Sequence, residues 1–156
     1  MTSTQSDRGP SGRDPETRKK DVLEALEGQG HYWLSTAEIS GRPHVIGVSA
    51  LWDGSQLVVT TLGSSVTARN MSMNPAVVLA HGDPSDAIVV QAAVIDSAAV
   101  EDSADLAGDW KKAMGWDPRE MDGWMFFRLR PTRIQAFRGY EEIEGRDVMI
   151  RSRWVI

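Results

Sequence analysis

The sequence predicts a mainly β protein, in which antiparallel strands form a closed sheet and a few helices cover it. Three strand-like runs lie within residues 31–62, where turns at Ser40-Gly41 and Asp53-Gly54 separate them as in a meander. Further β-branched runs occur in residues 76–101 and 124–155. Together these segments make about seven antiparallel strands, and closing the sheet is the economical way to protect their edges.

The elements before residue 75 have clear start and stop signals. Residues 14–16, Asp-Pro-Glu, supply an N-cap, a first-turn proline and a first-turn acid, so we expect a helix that ends at about Gly28. Its buried face consists of Val22, Leu23 and Leu26. After the three strands, a short helix is expected over residues 66–73, and Asn74-Pro75 ends it.

The elements after residue 75 are strands interrupted by one helix. Residues 102–116 change to a helical register, with Leu106, Trp110 and Met114 spaced four apart on one face. Strands are expected at residues 76–82, 87–101, 124–131, 132–139 and 147–155. Pro131 is the expected break between two of them, because proline cannot donate a hydrogen bond to a strand ladder.

Length and composition predict one domain with a loose amino-terminal tail. The chain has 156 residues, which is enough for one buried core. Residues 1–14 have no large apolar side chain beyond Met1, so they cannot offset the entropy of ordering. We therefore expect a disordered tail over residues 1–14 and a single domain over residues 15–156.

Charge and composition argue against several classes of function. The 17 basic and 22 acidic residues give a net charge of −5 without a basic stripe, which argues against a nucleic-acid partner. No apolar run approaches the roughly 20 residues that span a bilayer, and the amino end is not signal-like. We therefore expect no membrane association and a cytoplasmic location. The chain has no cysteine and three scattered histidines, so we expect no metal site.

The junction over residues 58–75 is the candidate binding site. A β-branched strand ends at a glycine and leads through Ser64, Ser65 and Thr67 to Arg69. Free backbone N–H groups, the helix dipole and these hydroxyls suit an anion, and a guanidinium suits a phosphate. The alternative is that Ser64 or Ser65 only caps a surface helix while Arg69 is a solvated charge. The local sequence is compatible with both interpretations.

The sequence contains no recognisable catalytic motif. The chain has no Gly-x-Ser-x-Gly elbow, phosphate-binding P-loop or dinucleotide-binding Gly-x-Gly-x-x-Gly. His44 follows Pro43 directly after a turn and enters the second strand. Its side chain either faces a pocket or is bonded to backbone at a strand edge.

Five sequence segments occur in an order that is typical of one family. They are YWLST at 32–36, GRPHV at 41–45, WDGSQLVVTT at 52–61, SSVTARN at 64–70 followed by NP at 74–75, and RPTRIQAF at 130–137. Together they resemble the split β-barrel flavin and deazaflavin proteins related to pyridoxamine 5′-phosphate oxidase. The chain looks more like the branch that binds coenzyme F-420, a deazaflavin, because the oxidase's own substrate-binding pattern is not apparent. The resemblance implies a split β-barrel that forms a homodimer, with cofactor grooves at the subunit interface.

The resemblance also implies which residues hold the cofactor. Its ring system would lie against Thr60 and Thr61, with a neighbouring wall formed by Pro43, His44, Val45 and Ile46. Its phosphate would face Ser64, Ser65, Thr67, Arg69 and Asn70. Many relatives have lysine where this chain has Thr67, and losing one charge-assisted phosphate contact costs about 1.5–3 kcal/mol. Arg42 or an arginine of the partner chain is the expected substitute.

The activity that this resemblance implies is hydride transfer from reduced F-420 to a small electron-poor organic substrate. The protein would supply orientation, water exclusion and hydrogen bonds, without an obligatory catalytic side chain. One alternative is an FMN-dependent oxidoreductase of the same fold, since the shorter phosphate tail of FMN tolerates Thr67. Another is a protein that binds a flavin, haem or tetrapyrrole without turnover. The last is a cofactor-free dimeric barrel that acts through protein contacts.

Overall fold

The computed structural model describes residues 12–156, which form one antiparallel sheet with three α-helices. The helices are α1 (Pro15–Glu27), α2 (Val66–Met73) and α3 (Ala104–Met114). The strands are β1 (His31–Ala37), β2 (Pro43–Ser49), β3 (Leu51–Trp52), β4 (Leu57–Leu62), β5 (Ala76–Asp83), β6 (Asp86–Ala99), β7 (Trp124–Arg138), β8 (Asp147–Ile150) and β9 (Arg153–Trp154). This content confirms the predicted mainly β class.

The sheet closes because β2 and β3, which follow one another in the chain, lie at opposite ends of the strand order. That order is β2-β1-β5-β6-β7-β4-β3, with β8 and β9 added beside β7. Only Ala50 separates β2 from β3, yet β2 pairs with β1 whereas β3 pairs with β4. The predicted meander is therefore present with a break at Ala50, and the predicted antiparallel barrel is confirmed.

The longest strand pair, β6 with β7, contains Pro131. We expected Pro131 to separate two strands, and this expectation was wrong, because β7 continues through it without interruption. The register against β6 shifts between Gln91 and Ala92, which leaves Thr132 without a partner residue in β6. Thr132 is thus the extra residue of a bulge, and a bulge accommodates a proline that donates no ladder hydrogen bond.

Two apolar clusters stabilise the barrel and its helices. The larger cluster includes Val22 and Leu26 of α1, so α1 covers the barrel with two residues of its predicted apolar face, whereas Leu23, the third, is half-buried and lies outside the cluster. The smaller cluster contains fully buried Trp110 of α3, and Leu106 and Met114 pack against this cluster. The predicted apolar face of α3 is therefore confirmed, although the helix occupies only Ala104–Met114 of the expected 102–116.

The residues that precede α1 contact the body of the domain. Asp14 caps α1, as predicted, by accepting a hydrogen bond from the Thr17 N–H at 2.9 Å. Arg13 was expected in the tail, but its Nε donates to Glu142 Oε1 at 2.8 Å and its Nη2 to Glu142 Oε2 at 2.9 Å. Residues 12–14 therefore pack on the domain, and the remainder of the predicted tail, residues 1–11, lies outside the described residues.

Candidate functional site

The turn between β4 and α2 places several hydroxyl groups beside the start of a helix. Ser65 is the N-cap of α2, and its Oγ accepts a hydrogen bond from the Ala68 N–H at 3.1 Å. Thr61 Oγ1 lies 3.3 Å from Ser65 Oγ, so the end of β4 is joined to the start of α2. The predicted short helix over residues 66–73 is confirmed.

The first turn of α2 retains a backbone donor for a ligand. The Ala68 N–H bonds to Ser65 Oγ, and the Arg69 N–H bonds to the Ser65 carbonyl at 3.1 Å. The first N–H groups of a helix have no intrahelical acceptor, and because Val66 is exposed whereas Thr67 is buried, the Val66 amide is the donor at the surface. Ser64 is also exposed, and the helix dipole adds partial positive charge at this end.

Arg69 is exposed on α2 and is not in an ion pair within residues 12–156. It lines a groove of about 450 Å³ between α2 and the β1–β2 turn. The groove is lined by Glu38, Ile39, Ser40, Val66, Arg69, Asn70 and Met73. Ser40 Oγ donates to Glu38 Oε2 at 3.1 Å, so a carboxylate adjoins the groove as well as a guanidinium.

Sequence reasoning missed five lining residues of this groove, namely Glu38, Ile39, Ser40, Val66 and Met73. The sequence did contain a signal for Val66 and Met73 of α2, because they recur with Arg69 at the helical spacing that places side chains on one face. Their pairing with the β1–β2 turn depends on the tertiary fold, and the local pattern does not contain it.

Two of the predicted phosphate ligands have buried side chains. Thr67 is 2% exposed and Asn70 is 5% exposed. Asn70 Nδ2 donates to Thr36 Oγ1 of β1 at 3.1 Å. The surface at the start of α2 is therefore formed by Ser64, Ser65 and Arg69, while Thr67 lies beneath it and Asn70 contributes only a small area to the adjoining groove.

The predicted wall of the site is the first half of β2. Pro43 and Val45 are exposed, whereas His44 and Ile46 are half-buried, as the alternation of a strand requires. Ile46 packs against the larger apolar cluster. His44 lies opposite Thr36 in the β1–β2 register, so the residue that binds Asn70 is also next to the wall.

The two threonines near the end of β4 are largely committed to contacts within the protein. Thr60 is 7% exposed and Thr61 is 8% exposed. Thr60 Oγ1 donates to the Met125 carbonyl of β7 at 2.9 Å, and the Thr61 hydroxyl contacts Ser65. A ligand beside β4 would therefore pack against Thr60. The Thr60 hydroxyl could only accept a hydrogen bond from it, because the hydroxyl proton is already donated to the Met125 carbonyl.

The donor set at the start of α2 fits an anionic group such as a phosphate. The Val66 amide, the Ser64 hydroxyl and the Arg69 guanidinium can all donate hydrogen bonds, and a helix N-terminus favours negative charge. The buried Thr67 supplies no cation, and Glu38 brings one opposing charge to the adjoining groove. The site therefore suits one phosphate, with fewer cations than a motif that carries lysine.

The other two histidines are used near the opposite end of β1. His81 Nδ1 lies 2.9 Å from the His31 carbonyl, and His31 Nδ1 lies 3.3 Å from Ser49 Oγ. Within residues 12–156, no group of three histidine, cysteine, aspartate or glutamate residues is arranged to hold a metal. In the same part of the chain, every helix is too short or too polar to cross a membrane.

A family model covers most of the chain. Residues 19–138 match the model described as pyridoxamine 5′-phosphate oxidase. The chain belongs to the pyridoxamine 5′-phosphate oxidase family. This membership confirms the resemblance seen in the sequence. A search of curated proteins finds no match.

Solved structures with this fold have names that imply different ligands. One is named an F-420 reductase; it is 24% identical, with a TM-score of 0.60, and the match covers 71% of this chain and 94% of that one. The haem storage protein HutZ from Vibrio cholerae is 16% identical, with a TM-score of 0.61 and coverages of 87% and 99%. An FMN-binding protein from Nostoc punctiforme is 12% identical, with a TM-score of 0.52 and coverages of 78% and 79%. At these identities the likeness establishes the fold alone.

Proposed function

We propose that the protein is an oxidoreductase that transfers a hydride from reduced coenzyme F-420 to a small electron-poor organic substrate. The observation that carries this proposal is the donor set at the start of α2, which suits a cofactor phosphate and adjoins β4. Membership of the pyridoxamine 5′-phosphate oxidase family supports it, as does the likeness to a structure named an F-420 reductase.

The chain's own residues would bind and orient the cofactor. The proposed binding residues are Pro43, His44, Val45, Ile46, Thr60, Thr61, Ser64, Ser65, Thr67, Arg69 and Asn70. Arg69 and Ser64 would bind the phosphate directly, because both are exposed near the start of α2. Thr67 would support this surface from beneath, since the residue as a whole is only 2% exposed. Reduced F-420, when bound, supplies the hydride, so no side-chain base is required.

FMN is the second candidate cofactor, and the buried Thr67 is the observation that favours it. A site with fewer cations suits a ligand with a short phosphate tail better than one with a longer anionic tail. The likeness to an FMN-binding protein supports this candidate. A protein that binds haem or tetrapyrrole without turnover is a further alternative, for which the likeness to a haem storage protein speaks.

Equilibrium binding to oxidised F-420 and to FMN, measured side by side by fluorescence quenching, tests the proposal. Selective binding of F-420 supports the reductase and justifies a screen of electron-poor substrates. Selective binding of FMN supports the flavin-dependent alternative. If the protein binds neither, the proposal fails, and haem, tetrapyrroles and protein partners become the next probes.

Arg69→Ala should weaken binding of the preferred cofactor roughly tenfold to hundredfold, because a charge-assisted contact contributes about 1.5–3 kcal/mol. The free energy of unfolding should stay nearly constant, since Arg69 is exposed. Arg153→Ala is the matched control, because Arg153 is an exposed arginine on β9, which pairs with β8. Equal cofactor affinity in the Arg69 variant and the wild type would contradict the phosphate assignment.

We also propose that the protein forms a homodimer with the cofactor groove at the subunit interface. The outward face of β2, β1 and β5 is apolar: Trp33 is 62% exposed, Val45 54% and Val78 37%. Trp33 pairs with Gly47 on one side and Ala80 on the other, so small residues leave the indole open to a partner. Val45 also belongs to the candidate cofactor wall, which makes this face continuous with the site. Exposed apolar surfaces of this kind favour association.

Trp33→Glu should convert the dimer to a monomer, because it places a charge at the centre of the apolar face. Light scattering after size-exclusion chromatography measures the mass, and cofactor binding should weaken in the same variant. Tyr140→Glu is the control, since Tyr140 is an exposed aromatic residue (89%) on the short 3-10 helix after β7. A wild-type mass of one chain would refute the dimer, and an unchanged dimer of the Trp33 variant would refute this face.

A further inference from the structure

One buried hydrogen bond connects the two halves of the candidate site. Asn70 of α2 donates through Nδ2 to Thr36 Oγ1 of β1 at 3.1 Å. The two side chains are 5% and 2% exposed, respectively. Because water has little access to either group, each depends on the other for a partner, and leaving one unpaired is costly.

Thr36, the acceptor of this hydrogen bond, is adjacent to the β2 wall. In the β1–β2 register, Thr36 lies directly opposite His44, which is part of the proposed cofactor wall. At its other end α2 is joined to β4 through Thr61 and Ser65. The helix thus has polar connections to β4 and to β1, the strand that pairs with the β2 wall.

The direction of α2 must be set by such contacts, because the helix is short. It has 8 residues, and isolated helices of this length are not stable in water. Ala68 and Met71 supply apolar packing, but apolar contacts are not directional. The Asn70–Thr36 bond is directional, so it constrains the rotation of α2 relative to β1.

We propose that Thr36 and Asn70 are positioning residues, which hold the anion-binding start of α2 at the correct angle to the β2 wall and thereby set cofactor affinity and orientation. This inference rests on the proposed function. It assigns a role to Thr36, and it gives Asn70 an indirect role through α2 in place of direct contact with the phosphate.

The test compares Thr36→Val, which keeps the shape but loses the hydroxyl, with Thr36→Ser, which keeps the hydroxyl. Dissociation constants for F-420 and FMN are measured by fluorescence quenching, and the circular dichroism of the bound cofactor reports its orientation. Thr36→Val should weaken binding about 2- to 10-fold, the equivalent of one hydrogen bond, and should alter the bound-state spectrum. Thr36→Ser should restore both to near wild-type values.

Ser72→Ala is the matched control on the same helix. Ser72 is exposed, and its Oγ bonds to the Ala68 carbonyl at 2.8 Å, so the variant loses a hydrogen bond within α2 without affecting the junction with β1. It should leave affinity and spectrum unchanged. A Thr36→Val protein that is less stable but binds with wild-type affinity and spectrum would overturn the proposal.

A second variant covers the case in which Thr36→Val does not fold. Thr36→Ala leaves space in which a water molecule can bond to Asn70, so it is tolerated better than Thr36→Val. Weakened binding by this folded variant supports the proposal, and wild-type binding overturns it. If Arg69→Ala weakens binding but the Thr36 variants do not, only the positioning role fails. If the wild type binds no cofactor, the proposed function and this inference both fail.

Discussion

Glu142→Gln is the sharpest test of how the amino-terminal residues stabilise the fold. Glu142 is only 1% exposed, and it pairs with Arg13 at 2.8 Å and Arg18 at 3.4 Å, whose side chains are 10% and 6% exposed. The Arg18 guanidinium also bonds to the carbonyls of Gly145 and Arg13. One buried carboxylate therefore joins residue 13, α1 and the segment between β7 and β8.

The expected cost follows from the burial of this cluster. Glutamine keeps the shape of Glu142 but removes its charge, so two buried guanidinium groups lose their shared counter-ion. Breaking a buried ion pair by removing one partner costs about 3–5 kcal/mol. Arg13 retains Asp21 at 2.9 Å, which places the expected loss near the lower end, at about 3 kcal/mol. For a chain of this size that corresponds to a fall of roughly 6–12 °C in Tm.

Urea and thermal unfolding followed by circular dichroism measure this loss directly. Glu141→Gln is the matched control, because Glu141 is the exposed neighbour of Glu142 in the same 3-10 helix. The control should change the free energy of unfolding by less than about 0.5 kcal/mol. A loss below about 1 kcal/mol for Glu142→Gln would refute the reasoning, since that is the magnitude of a solvent-exposed pair.

Two further predictions concern the same fold. The hydrogen bond from Arg13 lowers the pKa of Glu142 below its ordinary value of 4.5, so its stabilising effect is complete above that value. The stabilisation by ionised Glu142 disappears as the pH falls through the lower pKa of the folded state. Urea unfolding between pH 3 and 7 should therefore show the free energies of unfolding of wild type and Glu142→Gln converging at the acid end. Trp110→Phe should cost less than about 1.5 kcal/mol of stability, because Trp110 Nε1 has no hydrogen-bond partner among the described residues that the variant would lose. Trp110→Ala should cost about 3–5 kcal/mol, because it leaves a cavity. Equal losses in thermal unfolding would contradict this expectation.

The parts of the fold that the sequence predicted correctly depend on local signals. The Asp14 cap and the following proline predicted the start of α1, and the Ser64-Ser65 pair, of which Ser65 is the cap, predicted the start of α2. The fourfold spacing of Leu106, Trp110 and Met114 predicted the buried face of α3. In each case, one turn of chain contains the physical cause, so no knowledge of distant residues was needed.

The parts that were missed depend on residues far apart in the chain. Proline is a strand breaker by local rules, but Pro131 is accommodated because the register with β6 shifts beside it. Arg13 is polar and was expected in a tail, yet a carboxylate 129 residues away binds it. Such partners appear only when the tertiary fold is known, because hydrophobic pattern and capping rules contain no information about them.

The candidate site shows the same division between local and distant causes. The turn after β4 and the cap of α2 create a set of donors for an anion, and a sequence motif is sufficient to predict them. The motif is not sufficient to predict which of its side chains reach a ligand, because Thr67 and Asn70 are buried while Ser64 and Arg69 are exposed. Under the proposed function, the orientation of α2 against β1 therefore contributes to cofactor binding beside the exposed residues of the motif, and variants of Thr36 test that contribution without changing Ser64 or Arg69.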